Sequence, residues 1–215
     1  MKKTLPSLNS LKKIDNRPTL ICDADQVIFD FMNDFLVFLK SNKLSFNWDT
    51  YALTGNIVRE NKHALSEEEI KELINFFFKK HTINMKLVNG AKKSLDKISK
   101  KFNIIILSNI PFEYYDLRKS ALSKNRIDFP FFANRGEKGT PSSIIAKLND
   151  NHTWFIDDSP SQVSSVRKKN LNIKTILFIE NLKLAKLIKN KEDCDFYSTS
   201  WKNNEKILFN RIENE

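Results

Sequence analysis

Thr19-Leu20-Ile21-Cys22-Asp23-Ala24-Asp25 decides the fold class. A short apolar run closed by polar residues reads as a strand buried on both faces, as in a parallel sheet, and the two aspartates mark its carboxyl end. Two further stretches repeat the device. Ile104-Ile105-Ile106-Leu107 runs into Ser108-Asn109, and Thr153-Trp154-Phe155-Ile156 runs into Asp157-Asp158. Between them stands Lys138. Ligands of open α/β sheets sit in the crevice beyond the carboxyl ends of the strands, so clusters far apart in the chain are expected to meet there.

Outward from these strands the chain alternates helix and strand in the βαβ manner, with a helix after Gly90, a strand at 174–179 and a helix at 181–189. Ile110-Pro111, Thr140-Pro141 and Ser159-Pro160 each place proline where a first helical residue belongs, since its missing N–H costs nothing there. Helix N-termini beside the polar clusters favour an anion such as phosphate. The expected fold is α/β, a Rossmann-like parallel sheet with helices on both faces, formed by residues 18–32 and 88–215. Residues 33–87 carry no strand-like run and read as an inserted helical module. Its clearest helix opens with Ser66 and Glu69 as a capping box, and its stripe of Ile70, Leu73, Ile74, Phe77 and Phe78 is read as core rather than a ligand box. Residues 1–17, polar, basic and followed by Pro18, read as a loose leader.

Composition narrows the function classes. The 215 residues, 40% hydrophobic, suffice for one sizeable domain with an insertion. Cys22 and Cys194 make no disulfide framework, and the scattered His63, His81 and His152 make no histidine metal site. No apolar stretch is long enough to span a bilayer, and Met1-Lys2-Lys3-Thr4-Leu5-Pro6-Ser7 lacks the apolar segment of a secretory signal, so a cytoplasmic protein without membrane contact is expected. The net charge of +10 comes from lysines spread over helix faces, which reads as solvated surface and argues against nucleic acid as a main partner.

The clusters suit phosphate chemistry. Asp23 and Asp25, two apart in extended chain, project to one side. One carboxylate can attack phosphorus while the other handles the leaving-group proton. Asp157 and Asp158 add hard oxygens for Mg2+. Ser108 and Asn109 can donate to a phosphoryl oxygen, and Lys138 supplies a positive point charge.

Together these four motifs, with Val27-Ile28-Phe29-Asp30-Phe31 after the first and Lys138-Gly139-Thr140-Pro141 around the third, resemble the haloacid dehalogenase-like superfamily of phosphohydrolases. The resemblance spans residues 20–179. It implies Asp23 as nucleophile and metal ligand, and Asp25 as general acid/base with its carbonyl on Mg2+. Ser108 and Lys138 would hold the phosphate, with Asp157 a metal ligand supported by Asp158. It also implies that 33–87 is a cap that selects a small phosphorylated metabolite, with Trp48, Tyr51, Arg59 and Lys86 available to touch the leaving group. The segment before Gly90 resembles the nucleotidase branch. Two departures stand out. Gln26 occupies a position that is glycine in many relatives, and Asp25 is a carboxylate that the eponymous dehalogenases lack. Alternatives are a receiver-like phospho-acceptor domain, whose acidic pair would come first rather than last, and a catalytically silent binding or scaffold protein.

Overall fold

A computed structural model describes residues 6–8, 11, 14–148, 150–188, 191 and 193–212. Six parallel strands form one sheet: β1 (Thr19–Cys22), β4 (Asn103–Ser108), β5 (Phe131–Ala133), β6 (Thr153–Asp157), β7 (Ile173–Phe178) and β8 (Phe196–Ser198), in the order β5-β4-β1-β6-β7-β8. The apolar runs at 19–22, 104–107 and 153–156 lie in the three central strands, because only a strand covered on both faces can be apolar at every position. Ile21 pairs in register with Ile105 on one side and Phe155 on the other. The edge strands β5 and β8 have three residues each and gave no sequence signal.

Chain order reverses at β1, which lies between β4 and β6. This switch point is where an open sheet leaves a crevice, and Asp23 follows directly. The same order excludes the receiver-like alternative, since a flavodoxin-like receiver sheet runs 2-1-3-4-5.

Between β1 and β4 lie α1 (Phe31–Ser41), β2 (Leu44–Phe46), β3 (Ile57–Arg59), α2 (Glu67–His81) and α3 (Ala91–Ile98). The expectation of a purely helical module at 33–87 is corrected here. β2 and β3 form an antiparallel pair with Phe46 opposite Ile57, too short to show a period of two in the sequence. Their connection is organised by the buried Asn56, whose amide donates to Ala52 O at 2.6 Å and accepts from Asp49 N at 2.7 Å. α2 starts as expected: Ser66 N donates to Glu69 Oε2 at 2.9 Å and Glu69 N to Ser66 Oγ at 3.2 Å. Of its apolar stripe, Ile70, Phe77 and Phe78 are buried. Phe77 packs edge-on against Phe35 of α1, with ring centroids 5.1 Å apart.

The remaining helices are α4 (Tyr115–Lys124), α5 (Gly139–Ala146), α6 (Pro160–Lys169), α7 (Leu182–Leu187) and α8 (Trp201–Ile212). Pro160 is the first residue of α6, as expected. Pro141 instead is the third residue of α5, and Pro111 precedes a short 3-10 turn that leads into α4. All three obey one rule, for the first-turn N–H groups have no intrahelical partner anyway. The helix read at 181–189 ends at Leu187, and Lys189 lies outside the described residues.

Residues 1–5, 9, 10, 12 and 13 of the expected loose leader also lie outside the described residues. Its last part is not loose. Arg17 pairs with Asp15 and donates from Nη1 to Ser99 O at 2.8 Å, while Asn103 Nδ2 donates to the carbonyls of Asp15 and Arg17 at 3.0 Å each.

Candidate active site

The sheet brings the sequence clusters to one cavity of about 310 Å3, lined by Asp23, Asp25, Ser108, Asn109, Lys138, Asp157 and Asp158, among others. Asp23 N donates to Ile156 O at 3.0 Å, which fixes it at the end of β1 beside β6. Lys138, the N-cap of α5, is 2% exposed. Its Nζ contacts Asp23 Oδ1 and lies 2.7 Å from Asp157 Oδ2. An ammonium so buried persists only with charged partners. Burial opposes its charge, but Asp157 and Asp23 prevail and hold its pKa above the ordinary lysine value.

The placement of Lys138 depends on a close helix contact. Its N–H donates to Gln162 Oε1 of α6 at 2.8 Å, and a Cβ on the neighbouring Gly139 would stand 2.4 Å from Ser165 O. Glycine is therefore a packing requirement here. Asn109 supports the preceding loop: its Nδ2 donates to Gly136 O at 2.8 Å, and its Oδ1 accepts from Asn134 Nδ2 at 2.9 Å.

Asp23, Asp157 and Asp158 each offer a carboxylate oxygen within 4.8 Å of the others. Burial pushes the Asp157 carboxyl up to about 6, against the lowering influence of Lys138. Asp158 is raised well above the carboxylate range by burial and by Asp157 and Asp23. Lys138 pairs with two of these three acids, and such a hard-oxygen set fits a cation such as Mg2+. The side chain of Asp25 stands apart from this group. Its Oδ1 pairs with Arg118 Nη2, and Ser108 Oγ donates to its Oδ2 at 3.3 Å. The Asp25 carboxylate is thus absent from the cation cluster that the described residues form. Burial raises its pKa, and Arg118 opposes the rise.

Gln26 adopts φ 61, the left-handed region that favours glycine. Its side chain compensates, since Oε1 accepts from Met32 N at 2.7 Å in the first turn of α1. Glutamine here ties the segment after Asp25 to that helix.

Two residues acquire roles that the sequence left open. Arg118 belongs to the buried face of α4 with Tyr115, Ala121 and Leu122, and an arginine at an apolar helix position was the available signal. Tyr51 donates its hydroxyl to Asp158, with 2.7 Å to both Oδ2 and the carbonyl. The other leaving-group candidates lie elsewhere. Trp48 packs on Phe46 and beneath Lys183, Arg59 pairs with Glu69, and Lys86 N donates to Asp34 Oδ2 at 2.9 Å. From α2 it is Ile74 and Phe78 that reach the cavity.

Solved structures share this architecture. The chain has the haloacid dehalogenase-like fold. A conserved haloacid dehalogenase-like protein of unknown function from Agrobacterium tumefaciens superposes with a TM-score of 0.61 at 12% identity, covering 90% of this chain and 98% of its own. A HAD family hydrolase from Deinococcus radiodurans, solved with bound phosphate and sodium, gives 0.58 at 12% identity over 90% of this chain and 95% of its own. An L-2-haloacid dehalogenase gives 0.57 at 12% identity over 89% and 99%. Neither a protein-family model nor a curated protein matches the sequence. The haloacid dehalogenase-like fold accounts for the convergence of the clusters, for it sets β1 between β4 and β6. No helix among the described residues is long and apolar enough to cross a membrane.

Proposed function

We propose that this protein is a Mg2+-dependent phosphohydrolase of small phosphate monoesters that works through an aspartyl-phosphate on Asp23. The observation that carries the reading is the placement of Asp23: it stands at the sheet's switch point, touches the Lys138 ammonium and shares a cluster with Asp157 and Asp158. Asp23 would displace the alcohol from phosphorus, and water would then release phosphate from the aspartyl group. Asp25 protonates the departing oxygen and afterwards takes the proton of the attacking water. Lys138 and Ser108 face the phosphoryl oxygens, and Lys138 counters charge as it builds on them. Asp23, Asp157 and Asp158 would hold Mg2+, together with the Asp25 carbonyl that the family resemblance implies. The cation offsets repulsion between phosphate and carboxylates.

The second carboxylate, Asp25, supports phosphate over carbon–halogen chemistry. Residues 33–87 act as the cap. Space for a leaving group adjoins the cavity: a cleft of about 620 Å3 between α2 and the segments after β4 and β5, sharing Ile74 and Asn109 with it. Phe112 and Arg135, with the guanidinium 5.1 Å from the ring centroid, line that cleft. Hydrolysis of p-nitrophenyl phosphate with Mg2+ and after EDTA is the direct test. Rates that depend on Mg2+ and vanish with EDTA are expected, and rates undiminished by EDTA would remove the metal assignment. A panel of nucleotides and sugar phosphates then ranks the leaving groups.

A further inference from the structure

Arg118 has no exposed surface, and the cavity lining does not include it. Its guanidinium is nonetheless committed to the site. Nη2 contacts Asp25 Oδ1 across 93 residues of chain. The group lies 4.3 Å from the centroid of the Phe29 ring, and Nη1 is 4.0 Å from Met85 Sδ. Phe29 belongs to the connection that leaves the core for residues 33–87, and Met85 to the one that returns. These two connections are bonded to each other, by Asp30 N to Lys86 O at 2.8 Å and Val88 N to Ile28 O at 2.9 Å. Arg118 therefore sits behind the cavity, at the base of the inserted module, and grips one oxygen of Asp25.

We propose that Arg118 is the positioning residue of Asp25. By anchoring Oδ1 it leaves Oδ2, beside Ser108 Oγ, as the oxygen presented to the substrate. The inference rests on the phosphohydrolase reading above, in which Asp25 moves the proton. Three constraints support it. A buried guanidinium needs a charged partner, and Asp25 is the only carboxylate paired with Arg118 among the described residues. The planar group lies over an aromatic ring while Nη1 meets a thioether, which restricts its rotation. A catalytic carboxylate must also be held close to its working geometry, since displacement of about 1 Å can cost about 10²-fold in rate.

A double-mutant cycle tests it. R118M, D25N and the double variant are compared with the wild type on phenyl phosphate, a poor leaving group, and on 2,4-dinitrophenyl phosphate, a good one, with Mg2+ present. Urea unfolding of all four proteins is measured in parallel. R118M is expected to lower kcat on phenyl phosphate by about 10²-fold, with much less effect on the single-turnover release of dinitrophenolate, which needs no proton from Asp25, and KM within about threefold of wild type. Adding R118M to D25N should cost nothing further in kcat, because Arg118 acts through Asp25. R118K should recover part of the loss, and it replaces R118M in the cycle if the latter does not fold. Unfolding should show D25N to be more harmful with Arg118 present than in the R118M background. Additive losses in kcat on phenyl phosphate, equal losses in the single-turnover release of phenol and of dinitrophenolate, or a wild-type rate for R118M would reduce the pair to a structural staple and overturn the proposal. A D25N protein with full activity on phenyl phosphate, or a wild type inert to every ester, would instead fail the phosphohydrolase reading and take the proposal with it.

Discussion

The hydroxyl of Tyr51 lies 2.7 Å from Asp158 Oδ2, joining the loop between β2 and β3 to the acidic pair that ends β6, 107 residues away. Groups that hydrogen-bond to metal-binding carboxylates orient them, and their loss commonly weakens metal affinity by about 10- to 100-fold. Tyr51→Phe is expected to raise the Mg2+ concentration giving half-maximal hydrolysis about tenfold. Identical Mg2+ titrations of the two proteins would take Tyr51 out of the metal's surroundings.

The two carboxylates of the first motif should fail at different steps. Asp23→Asn is expected to form no phosphoenzyme. Asp25→Asn should slow turnover by about 10²- to 10⁴-fold, and with an activated aryl phosphate it should accumulate labelled phosphate on Asp23, because a good leaving group departs without a proton from Asp25 whereas the second step still needs a base to take the proton of water. If neither variant traps label and both lose equal activity, the division of labour is wrong.

Gly139 joins stability to the site. In Gly139→Ala the new Cβ would stand 2.4 Å from Ser165 O and 3.0 Å from Lys169 Cβ, so α5 must move away from α6. Overpacking of this kind costs about 1–3 kcal/mol. Lys138, the preceding residue, moves with the helix. Urea unfolding should show the loss, and kcat should fall more than KM rises. Unchanged stability would mean that the two helices separate freely.

Acid should weaken the contact between α3 and α8. Glu205 accepts from Ser94 Oγ at 2.5 Å and from Lys97 Nζ at 2.8 Å. Burial pushes its pKa up, but these bonds and the lysine charge win and hold it below the ordinary glutamate value. A depressed carboxylate contributes stability that is present above its unfolded pKa and lost as pH falls through the folded one. With Lys97 half-exposed, the contribution is about 1 kcal/mol or less. Glu205→Gln should therefore melt lower than wild type at pH 7, and the gap should close as pH falls below the ordinary glutamate value and through the depressed one. A constant gap across that range would show that ionisation of Glu205 contributes nothing.

By itself the sequence determined the sheet's centre and the place of the chemistry. An apolar run at 19–22 and a capping box at Ser66 and Glu69 are local patterns, set by burial on both faces of a strand and by orphan N–H groups at a helix start. Because parallel strands end on one side of a sheet, Asp23, Ser108 and Asp157 could be assigned to one crevice without knowing a contact. Tertiary structure alone decided which partner each side chain takes. The place of Arg118 among Tyr115, Ala121 and Leu122 signals a buried helix face but not its partner, Tyr51 has the sequence appearance of a loop residue, and β2, β3, β5 and β8 are too short to carry a period. Asp25 shows the difference most plainly. The motif implied its carbonyl as a metal neighbour and its carboxylate as the acid/base, but that the carboxylate turns to Arg118 is tertiary, because a guanidinium buried against Phe29 and Met85 must find an opposite charge, and no local pattern records where that charge lies.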